Sequence, residues 1–143
     1  MKKHLLALVV LMLFSTCAWA QKMSPVGIWT NEEGKARFEI YKCGDKLCGK
    51  LVTLKEPLKN GKPKVDENNP DKKLRTRPLL GLNFMNGFEY DGDHKWDDGT
   101  IYDPESGKTY SCYMKMLSND KMEVKGYIGI SLIGRTQHWT RIK

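Results

Sequence analysis

Beyond its first twenty residues the chain alternates apolar and polar positions with a period of two. Gly, Asn and Asp interrupt that alternation at short intervals. The pattern predicts strands over 26–30, 35–43, 47–55, 82–90, 94–103, 108–117, 121–130 and 134–142. Residues 121–130 give the clearest case, with Met122, Val124, Gly126 and Ile128 facing one way and Lys121, Glu123, Lys125 and Tyr127 the other. In 82–90 one face carries Leu82, Phe84, Asn86, Phe88 and Tyr90, and in 108–117 it carries Tyr110, Cys112, Met114 and Met116. Asp97-Asp98-Gly99 breaks the period inside its strand, as a bulge or second turn does. The last segment has no apolar face, because Arg135, Gln137, Trp139 and Arg141 alternate with Thr136, His138 and Thr140, so its orientation stays open.

About eight strands in succession, with little room for helix, predict an all-β fold. A small antiparallel up-and-down sheet of this size removes its edges by closing into a barrel. The segment 56–81 interrupts the meander with Asn60-Gly61, Asn68-Asn69-Pro70 and Arg77-Pro78, all turn or extended signals, and leaves space for a short helical turn after Pro70.

The first twenty residues follow a different rule. Lys2 and Lys3 precede an unbroken apolar run over 5–14, and Ala18-Trp19-Ala20 then offers a small-x-small cleavage site. Ten apolar residues are half of the roughly 20 that a spanning helix needs, so the segment reads as an export signal rather than an anchor. The expected organisation is a signal peptide at 1–20 and one barrel domain at 21–143, exported to the periplasm or beyond and not spanning the membrane. Lipidation at Cys17 is the weaker alternative, since Phe14-Ser15-Thr16 lacks the usual leucine and small-residue pattern. Removing Lys2 and Lys3 from the 24 Lys and Arg leaves 22 against 17 Asp and Glu, a formal +5.

Three cysteines remain after cleavage, and an oxidising compartment favours pairing of any two that are close. If 44–47 forms a four-residue hairpin loop, Cys43 and Cys48 face one another directly, at a Cα separation that a disulfide accepts. Cys112 is then a buried free thiol.

Several separated blocks together resemble the bacterial family called domain of unknown function 2147. They are Gly27-Ile28-Trp29, Cys43-Gly44 with Leu47-Cys48-Gly49, Asp66 with Asn69-Pro70, Arg77-Pro78-Leu79-Leu80-Gly81, Gly99-Thr100-Ile101-Tyr102-Asp103-Pro104, Gly107-Lys108-Thr109-Tyr110, and Gly126-Tyr127-Ile128-Gly129 running into Gly134-Arg135-Thr136-Gln137 and Trp139-Thr140-Arg141. The resemblance spans nearly the whole mature chain. It implies a small exported lipocalin-like barrel and supplies no catalytic residue. It also implies a structural pairing in which Trp29 of the first strand packs on an arginine of the last, with Arg141 and Arg135 both candidates.

The chemistry that this leaves is mainly that of a binding protein. Inward-facing Phe38, Phe84, Phe88, Tyr110 and Met114, with Asn86 as a polar group among them, would line a pocket for a small apolar or amphipathic molecule. Eight strands enclose either such a pocket or a filled core. The alternative partner is an anionic envelope component met by the loop 55–77, whose eight bases, Lys72 and Lys73 among them, face four acids. That stretch contains no aromatic residue, which argues against nucleic acid. Catalysis finds few ingredients. His94 and His138 are the only histidines after cleavage, no serine sits in a G-x-S-x-G elbow, and Asp97, Asp98, Asp103 and Glu105 are explained by turn chemistry. Asp91-x-Asp93 lacks the further oxygen ligand and glycine of a calcium loop, so neither metal nor cofactor is expected.

Overall fold

The structure is a computed structural model that describes residues 22–130 and 134–142. The expected signal peptide, with Cys17, lies outside the described residues. Eight strands form the barrel: β1 (Gly27–Thr30), β2 (Ala36–Cys43), β3 (Lys46–Leu54), β6 (Asn83–Gly92), β7 (Lys95–Asp103), β8 (Lys108–Ser118), β9 (Lys121–Tyr127) and β10 (Gly134–Arg141). Two further short strands, β4 (Leu58–Lys59) and β5 (Lys62–Pro63), make a hairpin inside the long connection. Every neighbouring pair is antiparallel, and β1 bonds to both β10 and β2, so the eight-stranded sheet closes on itself. No described helix is long and apolar enough to cross a membrane.

Each strand forms where the period-two pattern lies, except that β9 stops at Tyr127 rather than at residue 130 and leaves Ile128, expected on the apolar face, 69% exposed; the other departures have local causes. Gly44 takes a φ of 70°, which permits a two-residue turn. Cys43 therefore pairs with Lys46, and Cys48 with Tyr41, in place of the expected direct opposition across a four-residue loop. The Cys43–Cys48 disulfide forms across the diagonal, at a Cα separation of 5.8 Å. In β7 the register shifts between Trp96 and Gly99, and Asp98 sits at a φ of 58°, so Asp97-Asp98-Gly99 is a bulge.

In β6 an extra residue lies between the Phe88 and Met85 pairings with β3, beside Gly87 at a φ of 80°. The alternation therefore slips. Phe84 and Met85 are both buried, Asn86 is turned to solvent, Phe88 is buried again, and Tyr90 is exposed. This corrects the expectation that Asn86 shares the inner face with Phe84; Tyr90 keeps that face, opposite Trp96, and is exposed because it lies at the barrel's end.

The two ends of the barrel differ. One carries the turns after β2, β6 and β8 and is crossed by 22–26. There Trp29 is fully buried, its indole nitrogen donates to the Pro25 carbonyl at 2.7 Å, and the Arg141 guanidinium lies 4.3 Å from its ring. Arg141 also donates to the carbonyls of Ser24, Val26 and Asn119 at 2.6, 2.8 and 2.7 Å. Arg135 stands at the opposite end of β10. Above the closed end the core is solid, with Ile40, Met85, Phe88, Cys112, Met114, Met116 and Met122 each at most 2% exposed. Gly99 is part of this packing, because a Cβ there would stand 2.4 Å from the Phe88 ring.

Candidate functional site

The other end is open. A cavity of about 1690 Å³ runs from mid-barrel to the mouth and continues beneath the long connection. Its floor is aromatic: Phe38 stacks on Trp139 at 4.3 Å between centroids, and Phe84 lies 5.2 Å from Phe38. Leu51, Leu82 and Val124 complete the lower wall, with Ile101 and Tyr110 above them. Gly126 leaves room here, since a Cβ on it would approach Ile101 at 3.3 Å.

β10 supplies the wall that the sequence pattern left unoriented. Its inward positions are Arg135, Gln137 and Trp139, and the Gln137 side-chain oxygen accepts the Trp139 indole N–H at 3.1 Å. Polar residues on an inward face hide such a strand from any hydrophobic period; the only hint was the large Trp139.

The expected lining residues separate into three groups. Phe38, Phe84 and Tyr110 border the cavity. Phe88 and Met114 belong to the packed lower core, and Phe88 touches only a shallow pocket of about 380 Å³ at the closed end. Asn86 lies on the outer surface, where its side-chain oxygen accepts from Asn83, which in turn accepts from the Tyr41 hydroxyl.

The long connection is a built structure rather than a solvated strap. Its hairpin is followed by a bridge between Val65 and Pro78 and a 3₁₀ turn at Lys72–Leu74, capped by the Asp71 carboxylate. At its centre Asp66 is fully buried. Its carboxylate accepts from the Tyr102 hydroxyl at 2.6 Å, from the Asn69 amide at 2.7 Å and from Arg77 at 2.8 Å. Desolvation pushes this carboxyl up, but the three hydrogen bonds and the Arg77 charge outweigh it and hold it below the ordinary range. Asn68 ties the same segment to the β7–β8 turn by donating to the carbonyls of Pro104 and Glu105. Sequence reasoning missed this network, since a lone Asp among many charges looks like a solvated residue; its signal was the pair of blocks around Asp66 and Arg77.

The acidic and histidine candidates for catalysis do not converge. Asp97 pairs with Lys95, while Asp103 caps its own turn by accepting from the Glu105 amide and the Ser106 hydroxyl. His138 meets Glu32 at 3.0 Å, and His94 belongs to the turn between β6 and β7. No group of three or more His, Cys, Asp or Glu among the described residues is arranged to hold a metal ion.

Comparison with known proteins agrees with this geometry. A solved structure described as protein HP1028 from the human pathogen Helicobacter pylori, belonging to the lipocalin family, is similar at a TM-score of 0.76. The two share 24% identity over 85% of this chain and 84% of that one, and at that level the likeness is one of fold. No protein of curated function matches the chain. Residues 27–141 match the profile of domain of unknown function 2147, described as an uncharacterized protein conserved in bacteria, and the chain belongs to that family.

Proposed function

We propose that this protein is an exported carrier or sensor that takes a small apolar or amphipathic molecule into the open end of its barrel. The observation that carries this reading is the cavity itself: an aromatic and aliphatic floor under a polar mouth is the usual build of a small-molecule site. Export is supported by the features of the first twenty residues, and the disulfide is compatible with an oxidising compartment. The alternative, a loop surface for an anionic envelope component, is weakened because several of its bases are engaged within the loop. Arg77 serves Asp66, Arg75 donates to the Asn69 carbonyl, and Lys59 pairs with Glu67.

Native mass spectrometry of the protein purified from its own envelope fraction tests the proposal. Denaturation is expected to release a small amphipathic molecule. Rebinding of such a molecule should alter the Trp139 emission, a response lost in Trp139→Phe. Absence of any adduct, with no emission change on adding dodecanoate or dodecyl maltoside, overturns the reading.

A further inference from the structure

The wall of the open end is incomplete on one side. β1 stops at Thr30, whose partner on β10 is Thr140, yet β10 runs on past that pair towards the mouth as far as Gly134. Alternate residues of an antiparallel strand send their N–H and C=O groups to the same side, and on β10 the Ile142 and His138 N–H groups both point towards β1. Above Thr140 no strand of the described residues meets that side. The β1–β2 turn, residues 31–35, stands across the resulting slot. Asn31, Glu32 and Glu33 border the cavity from one side of it, and Thr136 and Gln137 from the other.

One side chain hydrogen-bonds this turn to β10. The Glu32 carboxylate accepts the His138 backbone N–H at 3.0 Å, where a longer β1 would have offered a carbonyl, and meets the ring Nδ1 at 3.0 Å. The Glu32 and His138 side chains are 61% and 51% exposed, so water competes for the contact and breaking it costs little. Among the described residues the other hydrogen bonds of 31–34 stay inside the turn: the Gly34 and Lys35 N–H groups both return to Asn31, and Glu33 pairs with Lys35. Arg135 adds a longer-range attraction for Glu33. Both ends of the turn are anchored, by the Thr30 hydroxyl on the Ala36 carbonyl and the Lys55 N–H on the Lys35 carbonyl. The facing rim is fixed as well, because Asn68 holds the β7–β8 turn and Asp66 holds Tyr102. The stretch between the two anchors is therefore the part of the rim that is free to swing.

We infer that the β1–β2 turn is a side flap of the cavity, latched by Glu32 on His138, and that the small molecule enters and leaves between this turn and β10. This rests on the cavity reading above and adds the route and its latch. A latch of this kind governs rates and not affinity. Breaking it lowers the barrier between the same two end states, so entry and exit quicken by the same factor.

Stopped-flow measurement of Trp139 emission with dodecanoate and dodecyl maltoside, each below its micellar concentration, gives both rates. Glu32→Ala is expected to raise association and dissociation together, by at least about threefold, with the dissociation constant held within about twofold. Glu32→Gln removes the charge but keeps an oxygen for the His138 N–H, so its rates should stay near those of the unaltered protein. Glu32→Cys with His138→Cys, joined by a short bis-maleimide, is expected to slow both rates at least about tenfold relative to the same pair capped with N-ethylmaleimide. Thermal unfolding of each variant checks that the barrel is intact. Unchanged rates in the joined protein overturn the flap, put the route over the open mouth and leave the cavity reading standing. A change in the dissociation rate alone also overturns it, since Glu32 then holds the molecule itself. Binding of neither probe to the unaltered protein overturns the cavity reading and the flap with it.

Discussion

A carboxylate without solvent contact is tolerated only when hydrogen bonds and an opposite charge replace its water. Asp66 has both, from Tyr102, Asn69 and Arg77. Removing one donor leaves the others in place but strips the shortest bond from a buried acceptor, so Tyr102→Phe is expected to cost about 1–3 kcal/mol in denaturant unfolding. Because the folded-state pKa of Asp66 lies below its unfolded value, its contribution is complete above the ordinary carboxylate range near pH 4 and is lost as pH falls through the folded value. Asp66→Asn should therefore flatten the acid limb of the stability profile, as measured by guanidinium titrations from about pH 5 downward. Cys112 offers a second test at this scale. It is fully buried, and burial pushes its thiol up, so it should resist alkylation in the native protein and react only on unfolding.

Among the elements, the long connection changes most in meaning once its contacts are known. The blocks around Asp66, Arg77, Tyr102 and Gly107 lie far apart in the chain, yet they meet at one place and dock the connection on the barrel wall. Gly107 is the tightest point: its φ is 69°, and a Cβ would stand 2.0 Å from the Asn68 carbonyl oxygen. Gly107→Ala is expected to destabilise by at least roughly 1–2 kcal/mol from the left-handed backbone alone. Hydrogen exchange should then show lost protection at the amides of Asp66, Asn69 and Leu79, which are bonded within the connection. The eight barrel strands were legible because each outer face is polar and most inner faces apolar. The phase of β6 was not legible, since a bulge beside Gly87 leaves no mark on composition, and neither was the inward face of β10, where Arg135 and Gln137 stand where aliphatic residues would be expected. Of the cavity, the sequence pattern therefore indicated Phe38, Phe84 and Tyr110 but not Trp139 or the mouth.

For the whole molecule, the contrast between ends matters more than any one contact. The solid end gathers the methionines, Trp29 and the Arg141 clasp, whereas the open end has its aromatic floor and polar mouth. The two should respond to mutation independently. Arg141→Lys loses the forked donation to Ser24 and Val26 and is expected to lower stability by on the order of 2 kcal/mol in thermal unfolding. Dodecanoate affinity should be unchanged, because Arg141 does not border the cavity.

The seam of the barrel has a further consequence for how the protein is made. β1 is four residues long and pairs with β10 at Trp29 with Arg141 and Thr30 with Thr140, with one more bond from the Ile142 N–H to the Ile28 carbonyl just past the strand. Those partners are separated by more than a hundred positions in sequence, so closure carries the chain-entropy cost of a very long loop and comes late in folding. A chain made N-terminus first must hold its opening strand unmatched on that side until β10 has followed. Until then the β1 and β10 edges are open to pairing with a second chain, which makes this the interval in which the protein depends most on being kept apart from its own copies.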